Sequence, residues 1–335
     1  VLYRNDGSQG GDVTVAIYET TDAATATTST TGTSMEVTGL AGGTMYVFSV
    51  AAKSDAGLGD RSAVASVSTS SAKPTAPSAS HQTASSISLE WSAPTVDTGV
   101  SETGYRVYEV SVDSSATKTY SLEYEGEAAE VVLSSLSSGT LYTYVVSVMS
   151  DAGESDKSDE MTASTAPGVA TALVSTHQSS SSVTLSWAEA PVDTGSAVTG
   201  YKVYDADGAL VYDGRGDTAT VTDRTTELND LEGGTTYTLL VGALSASGES
   251  DRSASVDIST CPSAPTALTS VSQTTTSMVL SWSAPAVTSG EGVTGYLVYR
   301  NDGDGTAVDV LAYNGRLDTS TGCVVSGLTG GLEYS

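Results

Sequence analysis

Basic side chains are scarce in this chain: 13 Lys plus Arg stand against 40 Asp plus Glu over 335 residues, a formal charge of −27. A surface of that sign repels phosphate backbones and anionic lipid, which argues against nucleic acid and membrane as partners. Histidine is nearly absent. His81 and His177 stand 96 residues apart, one imidazole per domain length, and that builds neither a catalytic triad nor a metal cluster. Carboxylates are plentiful, yet none forms a pair in a recognisable catalytic frame, so no enzyme active site is expected in these residues. No Asn-x-Ser/Thr sequon occurs, and N-glycosylation is not expected. Long runs of helical periodicity are missing too. Only 16% of residues are charged, leaving Ser, Thr and Gly to supply the polarity, a balance that fits a secreted or cell-surface polypeptide.

What the chain does contain is a repeated phrase. Trp91, Trp187 and Trp282, spaced 96 and 95 residues apart, end the segments Ser-Ile-Ser-Leu-Glu-Trp91, Ser-Val-Thr-Leu-Ser-Trp187 and Ser-Met-Val-Leu-Ser-Trp282. Apolar residues at every second position describe a strand with one buried face. Pro94, Pro191 and Pro285 follow within four residues, and Gly104-Tyr105, Gly200-Tyr201 and Gly295-Tyr296 open a second alternating strand 13 residues after each Trp. The phrase Leu-x-x-Gly-x-x-Tyr runs from Leu40 to Tyr46, Leu136 to Tyr142, Leu231 to Tyr237 and Leu328 to Tyr334. Asp-basic-Ser triplets follow the first three, at Asp60-Arg61-Ser62, Asp156-Lys157-Ser158 and Asp251-Arg252-Ser253. A period near 95 residues is too long for a solenoid unit and fits whole domains threaded one after another.

Trp in a second strand, Pro after it, Gly-Tyr opening a third and Leu-x5-Tyr leading into a sixth together resemble the fibronectin type III module, over essentially the whole chain. The resemblance implies an all-β fold of tandem immunoglobulin-like antiparallel β-sandwiches arranged as beads on a string, with strands A, B and E facing C, C′, F and G. It implies that Trp91, Trp187 and Trp282 are core residues and that Tyr46, Tyr142, Tyr237 and Tyr334 brace the E–F corner. The expected division is a partial module 1 at 1–72 (strands C to G), complete modules 2 and 3 at 73–166 and 167–261, and a truncated module 4 at 262–335 (strands A to the start of F). The opening Val1-Leu2-Tyr3-Arg4-Asn5-Asp6-Gly7 matches Leu297-Val298-Tyr299-Arg300-Asn301-Asp302-Gly303, so module 1 begins inside strand C and the polypeptide is expected to continue in both directions.

Cys323 aligns with Met35, Val131 and Thr226 on the inward face of strand E, whereas Cys261 lies in the junction before Pro262. The two are not placed to meet within one module. One reading makes Cys323 a small core hydrophobe and Cys261 a lone thiol; the other bridges Cys261 to a neighbouring chain or a further segment. Arg215-Gly216-Asp217 spells an adhesion tripeptide. In the fibronectin module that carries it, the tripeptide rides on the F–G loop, whereas here it follows Tyr212, where strand C′ turns toward E. Module 4 reads Tyr313-Asn314-Gly315-Arg316-Leu317-Asp318 at the matching place, so the frame belongs to the repeat, and a turn with solvated Arg and Asp is the plainer account. No cofactor is expected. Calcium at the acidic turns Asn5-Asp6-Gly7, Asp205-Ala206-Asp207-Gly208 and Asn301-Asp302-Gly303-Asp304-Gly305 competes with ordinary hairpin chemistry there, and none completes a calcium loop with its closing Glu.

The junctions Ser71-Ala72-Lys73-Pro74-Thr75-Ala76-Pro77, Thr165-Ala166-Pro167-Gly168 and Cys261-Pro262-Ser263-Ala264-Pro265 are short, and their prolines favour a semi-rigid string. Thr21 to Ser34, almost wholly Thr, Ala, Ser and Gly, lies in an insertion peculiar to module 1 and is a candidate for O-glycans, a neighbour contact or a plain flexible loop. The expected function is structural: spacer and interaction modules of an extracellular or cell-surface repeat protein, such as an adhesin stalk, matrix component or filament shaft. Its expected partners are other modules of a longer chain, neighbouring copies and other surface proteins. The alternative sets the same modules beside the catalytic domain of a secreted carbohydrate-active enzyme. An intracellular muscle-type scaffold is disfavoured by the acidity and scant Lys.

Overall fold

A computed structural model describes residues 2–4, 15–18, 36–95, 99–217, 221–302 and 307–335. The chain divides into two compact units, Val1–Ala166 with Asp193–Ser196 and Pro167–Val192 with Ala197–Ser335. In the first unit, module 1 supplies β1 (Leu2–Arg4), β2 (Val15–Tyr18), β3 (Met45–Ser54), β4 (Gly57–Arg61) and β5 (Ala65–Ser68), one sheet ordered β2-β1-β3-β4 with β5 beside β3. Module 2 follows with β6 (Thr75–Gln82), β7 (Ser86–Ser92), β8 (Glu102–Val112), β9 (Lys118–Gly126), β10 (Glu130–Ser134), β11 (Leu141–Ser150), β12 (Gly153–Glu154) and β13 (Met161–Ser164). Its sheets are β10-β7-β6 and β12-β11-β8-β9, the latter with β13 on β11.

The second unit repeats the scheme. Module 3 carries β14 (Thr171–Gln178), β15 (Val183–Ala188), β16 (Val198–Asp205), β17 (Leu210–Asp213), β18 (Thr225–Leu228), β19 (Thr236–Ser245), β20 (Gly248–Glu249) and β21 (Val256–Ser259). They pair as β14-β15-β18 and β17-β16-β19-β20, with β21 on β19. Module 4 has β22 (Thr266–Gln273), β23 (Ser277–Ser283), β24 (Tyr296–Arg300), β25 (Val310–Gly315) and β26 (Gly322–Ser326), paired as β22-β23-β26 and β24-β25. Every pairing is antiparallel, and modules 2 and 3 each place strands A, B and E opposite C, C′, F and G, so the fold is a tandem of β-sandwiches.

The alternation in sequence is what builds the cores. In β15, Val183, Leu185 and Trp187 are buried while Thr184 and Ser186 between them are half exposed, as a period of two requires. Each fully buried aliphatic side chain of this kind stabilises by about 1.5–3 kcal/mol. The tryptophans meet the Gly-Tyr tyrosines at steep ring angles, with centroids 5.5 Å apart for Trp91–Tyr105, 5.2 Å for Trp187–Tyr201 and 5.1 Å for Trp282–Tyr296. Such pairs add about 0.5–1.5 kcal/mol beyond area burial. The glycine before each tyrosine answers a close approach: a Cβ on Gly104, Gly200 or Gly295 would stand 2.7, 2.5 or 2.0 Å from the carbonyl oxygen of Gly126, Gly214 or Gly315.

Strand A carries a kink that composition does not announce. Ala76, Ala172 and Ala267 have φ of 50, 53 and 52°, each inside a register shift against strand B. These are β-bulges held by a non-glycine residue in the left-handed region. In module 1, Met35 of the expected strand E lies outside the described residues, as does the Thr21 to Ser34 insertion, and residues 36–44 form no strand. Strand F of module 4 is not formed at Tyr334.

Candidate functional site

The corner tyrosines share one geometry. The hydroxyl oxygens of Tyr46, Tyr142, Tyr237 and Tyr334 accept hydrogen bonds from the amides of Ala41, Ser137, Glu232 and Thr329, each five residues earlier, at 2.8 to 2.9 Å. Trp91, Trp187 and Trp282 are buried at 7, 4 and 6% exposure, and their indole N–H groups find no hydrogen-bond partner among the described residues. These residues organise the fold.

Arg215 and Gly216 occupy a turn after β17, and Asp217 closes it: its amide donates to the Gly214 carbonyl at 3.1 Å, and its carboxylate accepts from the Tyr212 hydroxyl. Module 4 repeats the arrangement, with the Tyr313 hydroxyl 2.6 Å from Asp318 Oδ2 and the Asp318 amide 2.9 Å from the Gly315 carbonyl. Hydrogen bonds from Ser320 and then Tyr313 hold the Asp318 carboxyl down at about 2. At the acidic turn of module 3, Asp205 Oδ1 accepts from the Ala209 amide at 2.8 Å, which is ordinary turn closure. Asn5-Asp6-Gly7 and Gly303-Asp304-Gly305 lie outside the described residues. Among the described residues, no three His, Cys, Asp or Glu side chains gather as a metal site would require. His81 and His177 are exposed on strands β6 and β14. Both cysteines are free thiols, Cys323 buried and Cys261 exposed.

On the outer face of the larger sheets a polar network recurs. Arg106 Nη1 lies 2.9 Å from Glu154 Oε2, and the Tyr108 and Ser147 hydroxyls donate to Glu154 Oε1 at 2.7 Å. Burial pushes the Glu154 carboxyl up, but hydrogen bonds from Ser147, Tyr108 and Arg106 outweigh it and leave the group below the usual glutamate value. Module 3 matches this with Lys202 at 3.0 Å from Glu249 and Tyr204 donating to the same carboxylate. Lys157 and Arg252 cover the tyrosine faces, 4.7 Å above Tyr108 and 3.7 Å above Tyr204. Module 1 has Val1 and Leu58 at the two charged positions, so cation and anion are exchanged together. The donors and acceptors of these two clusters bond to one another.

The junctions join the glycine of the Leu-x-x-Gly-x-x-Tyr phrase to residues that the repeated phrases do not single out. Gly43, Gly139 and Gly234, each three residues after the corner leucine, have φ of 68, 60 and 67°. Their amides donate to the Ser70, Ala166 and Cys261 carbonyls at 2.7, 2.7 and 2.9 Å, pinning the end of each module to its own corner. Their carbonyls point the other way. In the first unit, the Gly43 carbonyl accepts from the Gly99 amide at 3.2 Å, and Gly139 accepts from Asp193 and Gly195 at 2.9 and 2.8 Å. In the second, Gly234 accepts from Thr288 and Gly290, both at 3.0 Å. Gly99, Gly195 and Gly290 each sit eight residues after a Trp, and the residue before each is Thr98, Thr194 or Ser289. The Thr194 and Ser289 hydroxyls accept from the Leu141 and Thr236 amides at 3.0 Å. A hydroxyl–glycine dipeptide recurring at a fixed distance from Trp is the linear signal for these contacts.

The sandwiches and their tyrosine corners define a class of tandem β-sandwich modules. The fibronectin type III domain profile matches residues 72–164, 166–259 and 263–335, and the chain belongs to that family. It is 36% identical over 181 residues to Chitinase A1 of Niallia circulans, covering 51% of this chain and 23% of that protein. It is 31% identical over 244 residues to Exoglucanase B of Cellulomonas fimi, covering 68% of this chain and 21% of that protein. The chain therefore spans less than a quarter of the length of these two relatives. A crystal structure of chicken CNTN1 FN1-FN3 domains aligns at 20% identity with a TM-score of 0.34, covering 66% of this chain and 77% of that one.

Proposed function

We propose that this chain is a set of non-catalytic spacer and interaction modules from an extracellular or cell-surface protein, divided at 72/73, 166/167 and 261/262. The observation that carries this is the E–F corner contact inside each unit, in which the Gly43 carbonyl of module 1 meets the Gly99 amide of module 2 and the Gly234 carbonyl of module 3 meets the Thr288 and Gly290 amides of module 4. Contacts of that kind set the placement of neighbouring modules within a unit, which supports a structural role. The other modules of the same polypeptide are its first partners, and neighbouring copies or other surface proteins its second. Arg215-Gly216-Asp217 serves as a turn closed by the Tyr212–Asp217 hydrogen bond, and no cofactor is needed. A second reading places the modules beside the catalytic domain of a secreted polysaccharide-degrading enzyme, and the similarity to Chitinase A1 and Exoglucanase B favours it. The complete reading frame separates the two. Many further modules behind a signal peptide support the first, a single hydrolase domain supports the second, and a cytosolic kinase or scaffold would overturn both.

A further inference from the structure

Resting on the spacer reading, we propose that the dipeptide Ser289-Gly290, seven and eight residues after Trp282, is a plug that docks on the E–F corner of module 3 and fixes the angle between modules 3 and 4, both inside the second unit. The contact is built for closeness. A Cβ on Gly290 would stand 2.7 Å from the carbonyl carbon and 2.8 Å from the oxygen of Gly234, and a Cβ on Gly99 would stand 2.3 Å from the Met45 nitrogen. No side chain fits between two backbones at that separation, so only glycine lets the loop seat. A Cβ on Gly195 would meet Gly139 at 2.7 Å in the same way, so the requirement recurs at each Trp-linked glycine.

The bonding is equally specific. At the junction of modules 3 and 4, both inside the second unit, the Gly234 carbonyl takes the Thr288 and Gly290 amides. Ser289 adds a pair of bonds: its Oγ accepts from the Thr236 amide at 3.0 Å, and its carbonyl accepts from Thr236 Oγ1 at 2.7 Å. The Thr236 amide opens β19 and the Gly234 carbonyl lies in the corner, so each would be an unpaired backbone group without the loop. The corner is itself anchored, because the Gly234 amide holds the Cys261 carbonyl while the Cys261 amide donates to Ser179 at 2.9 Å. The module 3 half of the joint is thus tied to its own module's backbone, and bending the joint breaks several hydrogen bonds at once. A linker free to swing would show none of these contacts.

The test uses the full chain with Cys261→Ser and Cys323→Val, spin-labelled through Asp207→Cys in module 3 and Leu317→Cys in module 4, both exposed positions. Pulsed electron-spin distance measurement gives the spread of the separation between the two labels. The lock predicts one narrow distribution, broadened at least about two-fold by Gly290→Ala, whose Cβ expels the loop, and broadened less by Ser289→Ala. Amide hydrogen exchange of β23 and β26 checks that module 4 remains folded. If Gly290→Ala unfolds it, Ser289→Ala alone decides. A broad distribution in the parent, or equal widths in parent and folded variants, overturns the lock. That outcome leaves a flexible spacer standing, since the spacer reading falls on the reading-frame and stretching tests and not on this one.

Discussion

Tyr108 Oη lies 2.7 Å from Glu154 Oε1, while Arg106 holds the other oxygen of the same carboxylate at 2.9 Å. Both side chains of the ion pair are under a third exposed, so the cluster is more than a surface decoration. A double-mutant cycle with Tyr108→Phe and Glu154→Gln is expected to give a coupling of about 1 kcal/mol by urea unfolding. The Glu154 carboxyl sits below its ordinary 4.5 in the fold, so its contribution is present above that value and is lost as pH falls toward the folded value. Burial, then Glu154, raise the Tyr108 hydroxyl above its ordinary 10.0, so its contribution is present below that value and is lost as pH rises beyond it. Glu154→Gln should flatten the acid limb of the stability profile, and an unchanged acid limb would remove the network from the account.

Trp187 offers a sharper distinction. Its ring fills the core of module 3, but its buried N–H is unpaired among the described residues. Trp187→Ala is expected to cost about 3–5 kcal/mol, while Trp187→Phe, which also deletes the orphan donor, should cost only about 1–2 kcal/mol. Urea midpoints with unchanged slopes check the pair, and equal losses would mean the N–H is satisfied after all.

Ala172 sits at φ 53° in its bulge, a conformation glycine adopts without strain. Ala172→Gly should therefore raise the unfolding free energy, by up to about 1 kcal/mol after the entropy gained by the unfolded chain is subtracted. Calorimetry reads the direction. A fall would show that the alanine methyl contributes packing that outweighs the backbone cost.

The acidic turns lead to a plain expectation. Because Asp205 closes its own turn through the Ala209 amide, the melting temperature should be the same in millimolar calcium and in EDTA. A rise with calcium would place an ion at one of these turns.

Some of this architecture is written in linear order and some is not. The sandwich fold was legible because Val183, Leu185 and Trp187 alternate with polar residues and because the pattern returns after a domain length. The frame from Tyr212 to Asp217 could be paired with Tyr313 to Asp318 by simple spacing. Gly99 and Gly290 gave less away, and the contact that Gly43 and Gly234 make with them left no mark on the phrase those two glycines belong to. A close approach between backbones leaves no mark in sequence but a glycine, and with 34 glycines in the chain only their fixed distance from Leu or Trp singles them out. The bulges at Ala76, Ala172 and Ala267 were hidden for the opposite reason, since alanine is not a residue that advertises positive φ. Glu154 likewise looked like one carboxylate among 40 until folding brought Arg106 and Tyr108 to it.

Stretching the full chain between its two ends tests the tandem-spacer account most directly. Trp91, Trp187 and Trp282, one to each core and 96 and 95 residues apart, mark modules that should yield separately. The account predicts successive unfolding events, with modules 2 and 3 each releasing roughly 300 Å of chain at about 3.3–3.6 Å per residue. A single release spanning the whole chain, or smooth extension without discrete events, would contradict it.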